Sequence, residues 1–255
     1  MIELEICVDS VESAVAAEIG GAQRVELCSA LIEGGLTPST GMIRAVRSRI
    51  DIGLFVMIRP RGGDFIYSDE ELAAMRDDIA SAKQCGADGV VFGLLTPNGE
   101  VDFERTRQLV ELARPMQVTF HRAFDMAHDM ETALEDIVRT GADRVLTSGG
   151  EQSASLGSRL IARLVRRLEN RIGLMVCGGI RPETVQEIVL ATGASQFHSA
   201  LRTAVPSPVI HRKEGLYMGE PGVDEFTRYT VLAPEVRSLR DAIDTASRNA
   251  VSKES

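Results

Sequence analysis

Four stretches of the chain, GGAQRVEL, CGADGVVF, TGADRVLT and TGASQFHS, share one design: a Gly-Ala-x turn that runs straight into a strand. Each follows a segment whose apolar residues recur at helical spacing, so the glycine falls where a helix ends. The backbone there must turn left-handed, which glycine does without steric cost. The turn leaves room only for a direct helix-to-strand passage. A chain punctuated in this way alternates strands with helices, the pattern of a parallel sheet covered by helices.

Eight strands can be read in order: LEICV, RVEL, GLFVMI, GVVFG, MQVTF, RVLT, GLMVC and SQFHS. Between them lie amphipathic stretches such as VESAVAAEIG, DEELAAMRDDIASAKQCG and METALEDIVRTG. Eight βα units in 255 residues match a closed (β/α)8 TIM barrel. An open doubly wound sheet is the alternative, but it carries a glycine-rich phosphate loop after its first strand. ICVDSVES is no such loop. Residues 1–255 are therefore expected to form a single barrel domain. The pattern breaks from about 203 to 233, where three prolines and the stretch HRKEGLYMGEPGVDEFTRY predict an irregular rim segment. A last helix is expected at about 234–248.

Bulk properties narrow the function. The net charge of −9 argues against a broad nucleic-acid or anionic-membrane surface, though not against a local basic pocket. No apolar run approaches the ~20 residues of a membrane span, and MIELEICVDS lacks the features of a secretion signal. The chain is expected to stay in the cytoplasm. Its four cysteines, Cys7, Cys28, Cys85 and Cys177, show no CxxC or zinc spacing, so they are expected as free thiols.

Alternation along the strands assigns the faces. If Leu4, Ile6, Val8, Val25, Leu27, Leu54, Val56, Ile58, Val118 and Phe120 pack outward on helices, an unusual set turns inward. It comprises Glu5, Cys7, Glu26, Cys28, Met57, Arg59, Arg61, Gln117, Thr119, His121, Gln196 and His198. Barrel interiors are normally filled by branched aliphatics. Buried charges must be paired, and Glu26 on the second strand with Arg59 on the third is the expected pair. The stretch VTFHRAFD delivers His121 to the barrel mouth, with Arg122 and Asp125 expected to pair and hold the loop beyond it.

Taken together, RVELCSALIEGGLTPS, MIRPRGGDFIYSDEE, VTFHRAFDM and RVLTSGG resemble the CutC family, named for copper homeostasis. The resemblance runs over nearly the whole chain, to EGLYMGEPGVDEFTRY. It implies a (β/α)8 barrel, a cytoplasmic location, a role in copper tolerance or trafficking, and Cu(I) binding.

Two readings of the mouth follow. Cu(I) prefers thiolate and thioether ligands, and Cys7 and Cys28 share inward parity on strands expected ~4.8 Å apart. They are the candidate metal ligands; packing as small hydrophobes is the plain alternative. The other reading is an enzyme acting on a small phosphorylated or carboxylated metabolite, with no organic cofactor. Arg59 and Arg61 would then hold the anion, helped by His198 and by backbone N–H groups of Ser148, Gly149 and Gly150 after strand six and Gly178 and Gly179 after strand seven. Glu26, His121 and Arg59 are the catalytic candidates. The expected partners are a copper ion or a small anionic metabolite, with no nucleic acid and no membrane, and a homo-oligomer, dimer or tetramer, is expected from the DEFTRY tail and apolar helix faces.

Overall fold

A computed structural model describes residues 2–213, 215, 216, 224 and 226–254. Eight parallel strands close into a barrel: β1 Glu3–Val8, β2 Arg24–Leu27, β3 Gly53–Met57, β4 Gly89–Phe92, β5 Gln117–Phe120, β6 Arg144–Thr147, β7 Gly173–Val176 and β8 Gln196–Ser199. The helices between them are α1 Val11–Gly20, α2 Thr40–Arg47, α3 Asp69–Gln84, α4 Phe103–Ala113, α5 Met130–Thr140, α6 Ala154–Leu168 and α7 Val185–Thr192. α8, Ala233–Glu254, completes the ring, and Val236 on it sits directly against Gly20 at the end of α1.

The Gly-Ala-x turns explain themselves residue by residue. Gly21, Gly86, Gly141 and Gly193 all have positive φ, from 67° to 95°. Ala22 and Ala87 then donate back to Ala17 O and Ala82 O, closing the helix ends. The alanines at these turns are buried, which leaves no room for a larger side chain. The third residue has a job that the pattern alone did not disclose. Gln23, Asp88 and Asp143 accept from the backbone N–H groups of Leu4, Leu54 and Val118, at 2.8, 2.8 and 2.7 Å. Each of these three turns thus clamps the start of the preceding strand.

The alternation holds. Leu4, Ile6, Val8, Val25, Leu27, Val118 and Phe120 share one core with helix residues such as Ala14, Ile43, Val46 and Leu109. Inside the barrel lie two separate small clusters, one of Cys7, Cys28, Phe55, Met57 and Val91, the other of Leu146, Met175 and Cys177. A one-residue slip would have exchanged these sets.

The rim segment differs from the expectation of irregular chain throughout. Arg202–Pro206 (β9) and Thr227–Val231 (β10) pair as an antiparallel ribbon. Residues 214, 217–223 and 225 of the stretch expected to lie over the rim lie outside the described residues. No helix among the described residues is long and apolar enough to cross a membrane.

Candidate functional site at the barrel mouth

The polar interior begins at the barrel floor. Arg24, buried and in the same parity as Glu26, places its Nε 2.7 Å from Glu5 Oε2 and its guanidinium over the Phe55 ring at 4.1 Å. Arg144 donates to Gln196 Oε1 at 2.6 Å and faces Glu3 at 3.7 Å. Glu5 also meets His198 Nδ1 at 2.6 Å. Burial alone would push the Glu5 carboxyl up, but Arg24 and His198 overcome it and hold it down at about 2. The floor is therefore closed by paired charges where most barrels use aliphatics.

Above it the strand ends bring the thiols together. The sulfurs of Cys7 and Cys28 are 3.8 Å apart, and Cys28 Sγ lies 3.6 Å from Glu26 Oε2. Cys7 Sγ, a Glu26 oxygen and a His198 ring nitrogen lie within 4.8 Å of one another. Gly35, at φ 93°, closes over Cys28: a Cβ there would lie 3.1 Å from its sulfur. The hydrogen bond with Cys28 outweighs burial and, with His198, pulls the Cys7 thiol down to about 6. Cys28 is pushed up by the same bond and by burial, and burial pushes Glu26 up. Burial disfavours a charged His198, but Glu26, Cys7 and Glu5 outweigh it and raise its pKa. Cys7 is thereby the thiol most readily ionised, beside a His198 ring whose pKa is raised by the carboxylates and the thiol around it.

The expected Glu26–Arg59 pair does not form. Glu26 faces His198 Nε2 at 3.8 Å. Arg59 lies beyond the end of β3 and is held by carbonyls instead, donating to Glu33 O, Gly35 O and Gly63 O at 2.7, 3.3 and 2.8 Å. Strand parity ends at Met57, so Arg61 also departs from the inner line. It turns onto its own loop and α3, binding Glu71 Oε1 at 2.7 Å and Asp64 Oδ1 at 3.0 Å.

His121 does reach the mouth. It is buried, and its Nδ1 accepts from Ala123 N at 3.2 Å. Phe65 packs on it with ring centroids 5.0 Å apart. Burial, with Arg59 nearby, pushes its pKa down to about 3, so the ring is neutral. Arg122 and Asp125 pair at 2.8 Å as the sequence predicts.

The glycine pairs behave differently from one another. The N–H groups after β6 are not bare: Ser148 N and Gly150 N donate to Asp125, and Gly149 N donates to Thr147 Oγ1. Gly149 is also needed for packing, because a Cβ there would lie 2.6 Å from Gly157 O. Gly178 and Gly179 line a side pocket of about 200 Å³ with Arg122, Arg181 and His198. Cys7, Glu26, Arg59, His121 and His198 all line a main cavity of about 760 Å³. Cys85 is buried at the end of α3, away from this site, and Cys177 is buried in the inner cluster of β6 and β7.

Arg24, Arg144 and Phe65 were not among the sequence candidates. Inward parity would have found Arg24, and Arg144 opens TGADRVLT where Arg24 opens its strand in GGAQRVEL. Phe65 lies in a loop, where no periodicity assigns a direction.

Comparison with known proteins agrees with this architecture. A model described as CutC family matches residues 2–203. The CutC protein of Chromobacterium violaceum is 49% identical over 95% of this chain and 98% of its own length. The copper homeostasis protein cutC homolog of Homo sapiens is 51% identical over 92% of this chain and 87% of its own. The crystal structure of CutC from Streptococcus agalactiae superposes with a TM-score of 0.73 at 35% identity, covering 78% of this chain and 98% of that one. A thiamine phosphate pyrophosphorylase of Pyrococcus furiosus, 17% identical with a TM-score of 0.59 and 96% of each chain covered, shares the fold alone.

Proposed function

The chain belongs to the CutC family, and from that premise we propose that it serves copper homeostasis by holding Cu(I) between Cys7 and Cys28 at the barrel mouth. The observation that carries this reading is the 3.8 Å separation of two buried sulfurs, one of them with its pKa at about 6. Two metal–sulfur bonds of about 2.3 Å each span that gap with room to spare. Thiolate is both the form that binds metal and the donor that Cu(I) prefers. His198 and the Glu26 carboxyl lie beside the pair as the groups that take up or release protons when a cation arrives. Anaerobic titration against a Cu(I)-selective chelator tests it. Cys7→Ser and Cys28→Ser should each weaken binding by at least about a hundredfold, since loss of an outer-shell partner alone costs ten- to a hundredfold. Wild-type affinity in both variants removes this pair as the site.

A second reading, binding and turnover of a small anionic metabolite at the same mouth, is favoured by the main cavity. Its volume of about 760 Å³ far exceeds what one ion occupies. The barrel places it where enzymes of this fold work.

A further inference from the structure

The walls of the main cavity are largely apolar, with Phe65, Ile66, Leu95, Met126 and Leu146 among them. Its volume falls within the roughly 300–1,000 Å³ of small-molecule sites. Cys7, Glu26, Asp64, Arg122, Asp125 and His198 also line it, but two further polar groups of the wall stand outside the thiol cluster.

The first is His121. Because Nδ1 accepts from Ala123 N, the single proton of the neutral ring sits on Nε2. His121 is 4% exposed, and Nε2 has no partner among the described residues. A buried donor left unmet destabilises a fold, and a ligand acceptor would meet it.

The second is Arg59. Its guanidinium donates to three carbonyl oxygens and lies beside the Tyr67 hydroxyl, and among the described residues no carboxylate pairs with it. The acidic side chains nearby are committed elsewhere: Asp64 to Arg61 and Asp125 to Arg122. The Arg59 guanidinium lies 5.0 Å from the Phe65 ring, which itself packs on His121.

We propose that the mouth cavity binds a small monocarboxylate with an aryl-sized apolar body, its carboxylate accepting from His121 Nε2–H beside Arg59 and its body lying against Phe65, Ile66, Leu95 and Met126. This deepens the metabolite reading and rests on it by naming the ligand class. One negative charge matches one unpaired guanidinium. A phosphate dianion would call for a nest of backbone N–H groups, and those of Ser148 to Gly150 are occupied.

Calorimetry on the metal-free full chain tests the proposal, with 3-phenylpropionate as the probe and 3-phenylpropanol and inorganic phosphate as comparisons. The carboxylate should bind saturably, and the alcohol and phosphate at least about tenfold more weakly. His121→Phe and Arg59→Met should each weaken the carboxylate about ten- to a hundredfold. In the wild type, the His121 Nε2–H resonance should move on adding the probe, which needs no variant to fold. A resonance that stays still, or unchanged affinity in a folded His121→Phe, overturns the assignment. If phosphate binds through His121 and 3-phenylpropionate does not, the carboxylate class falls while the metabolite reading stands. If neither binds at up to about 10 mM, both fall.

Discussion

His198 Nδ1 lies 2.6 Å from Glu5 Oε1, and Arg24 Nε lies 2.7 Å from the other oxygen of the same carboxylate. One buried anion thus holds two cations, the first at the mouth and the second at the floor. Without Glu5, the imidazolium that neighbours Cys7 would lose its closest counter-charge.

Glu5→Gln should therefore cost about 3–5 kcal/mol, the usual penalty for stranding one member of a buried pair. The pH dependence has a definite sign. The Glu5 carboxyl is held at about 2 in the fold against 4.5 ordinarily. Its stabilisation is complete above pH 4.5 and disappears as the pH falls toward about 2. Urea midpoints measured across that range should drop steeply for the wild type and be flatter for the variant. Parallel curves would show that Glu5 does not carry the acid limb.

Much of this architecture was legible in the chain, for a physical reason. A strand has a period of two, so Leu4, Val25 and Phe120 fix the direction of Glu5, Glu26 and Thr119 between them. The left-handed glycines announced where helices end. Legibility stopped at the strand ends. Arg59 and Arg61 share parity on paper, yet past Met57 the backbone is no longer extended strand: Arg59 reaches Glu33 O and Gly35 O after β2, while Arg61 turns to Glu71 on α3. Pairing inside the barrel was also hidden, because parity gives a direction but not a height along the axis. Glu26 and Arg59 face the same interior without meeting, while Glu5 finds Arg24 and His198.

Cys7 should be the reactive thiol of the metal-free protein. Its pKa of about 6 predicts alkylation by iodoacetamide that rises with pH through that value, because thiolate is the nucleophile. Burial pushes Cys177 the other way, so its peptide should stay unlabelled under the same conditions. Cys28→Ala removes the hydrogen bond that lowers Cys7 most, and the midpoint should move up. Site-resolved mass spectrometry reads all three. A Cys7 midpoint unmoved by Cys28→Ala would mean the two thiols do not interact.

Gly93 holds space for the His121 ring. A Cβ at this position would lie 2.5 Å from Nδ1 and 2.8 Å from Cε1. Gly93→Ala should destabilise the protein by about 1–3 kcal/mol through overpacking. Adding His121→Ala removes the clash, so the double variant should be more stable than the sum of the singles implies by at least about 0.5 kcal/mol. Strict additivity in denaturant titration would place His121 away from Gly93.

Asp125 anchors the loop that follows β5. Its carboxylate receives Thr147 Oγ1 at 2.5 Å, Ser148 Oγ at 3.0 Å, the backbone N–H groups of Ser148 and Gly150 at 3.1 Å each, and Arg122 Nε at 2.8 Å. It occupies the N–H groups after β6 that an external anion would otherwise use, and so welds the β5 loop to the β6 loop. Asp125→Ala should cost about 1–3 kcal/mol, chiefly because it leaves the buried Thr147 and Ser148 donors unmet, while half-exposed Arg122 keeps Ser148 Oγ. The vacated position is shaped for a carboxylate, and formate is small enough to enter it beside an alanine. At about 100 mM formate the variant should gain a few degrees in Tm by mass action, with chloride at the same ionic strength giving none of that gain. The wild type, whose donors are already filled, should respond equally to both salts. If formate and chloride act alike on the variant, the donors have collapsed onto other partners and the clamp is not a preformed anion site. If Asp125→Ala leaves Tm within about a degree of wild type, the weld between the two loops carries no weight in the fold.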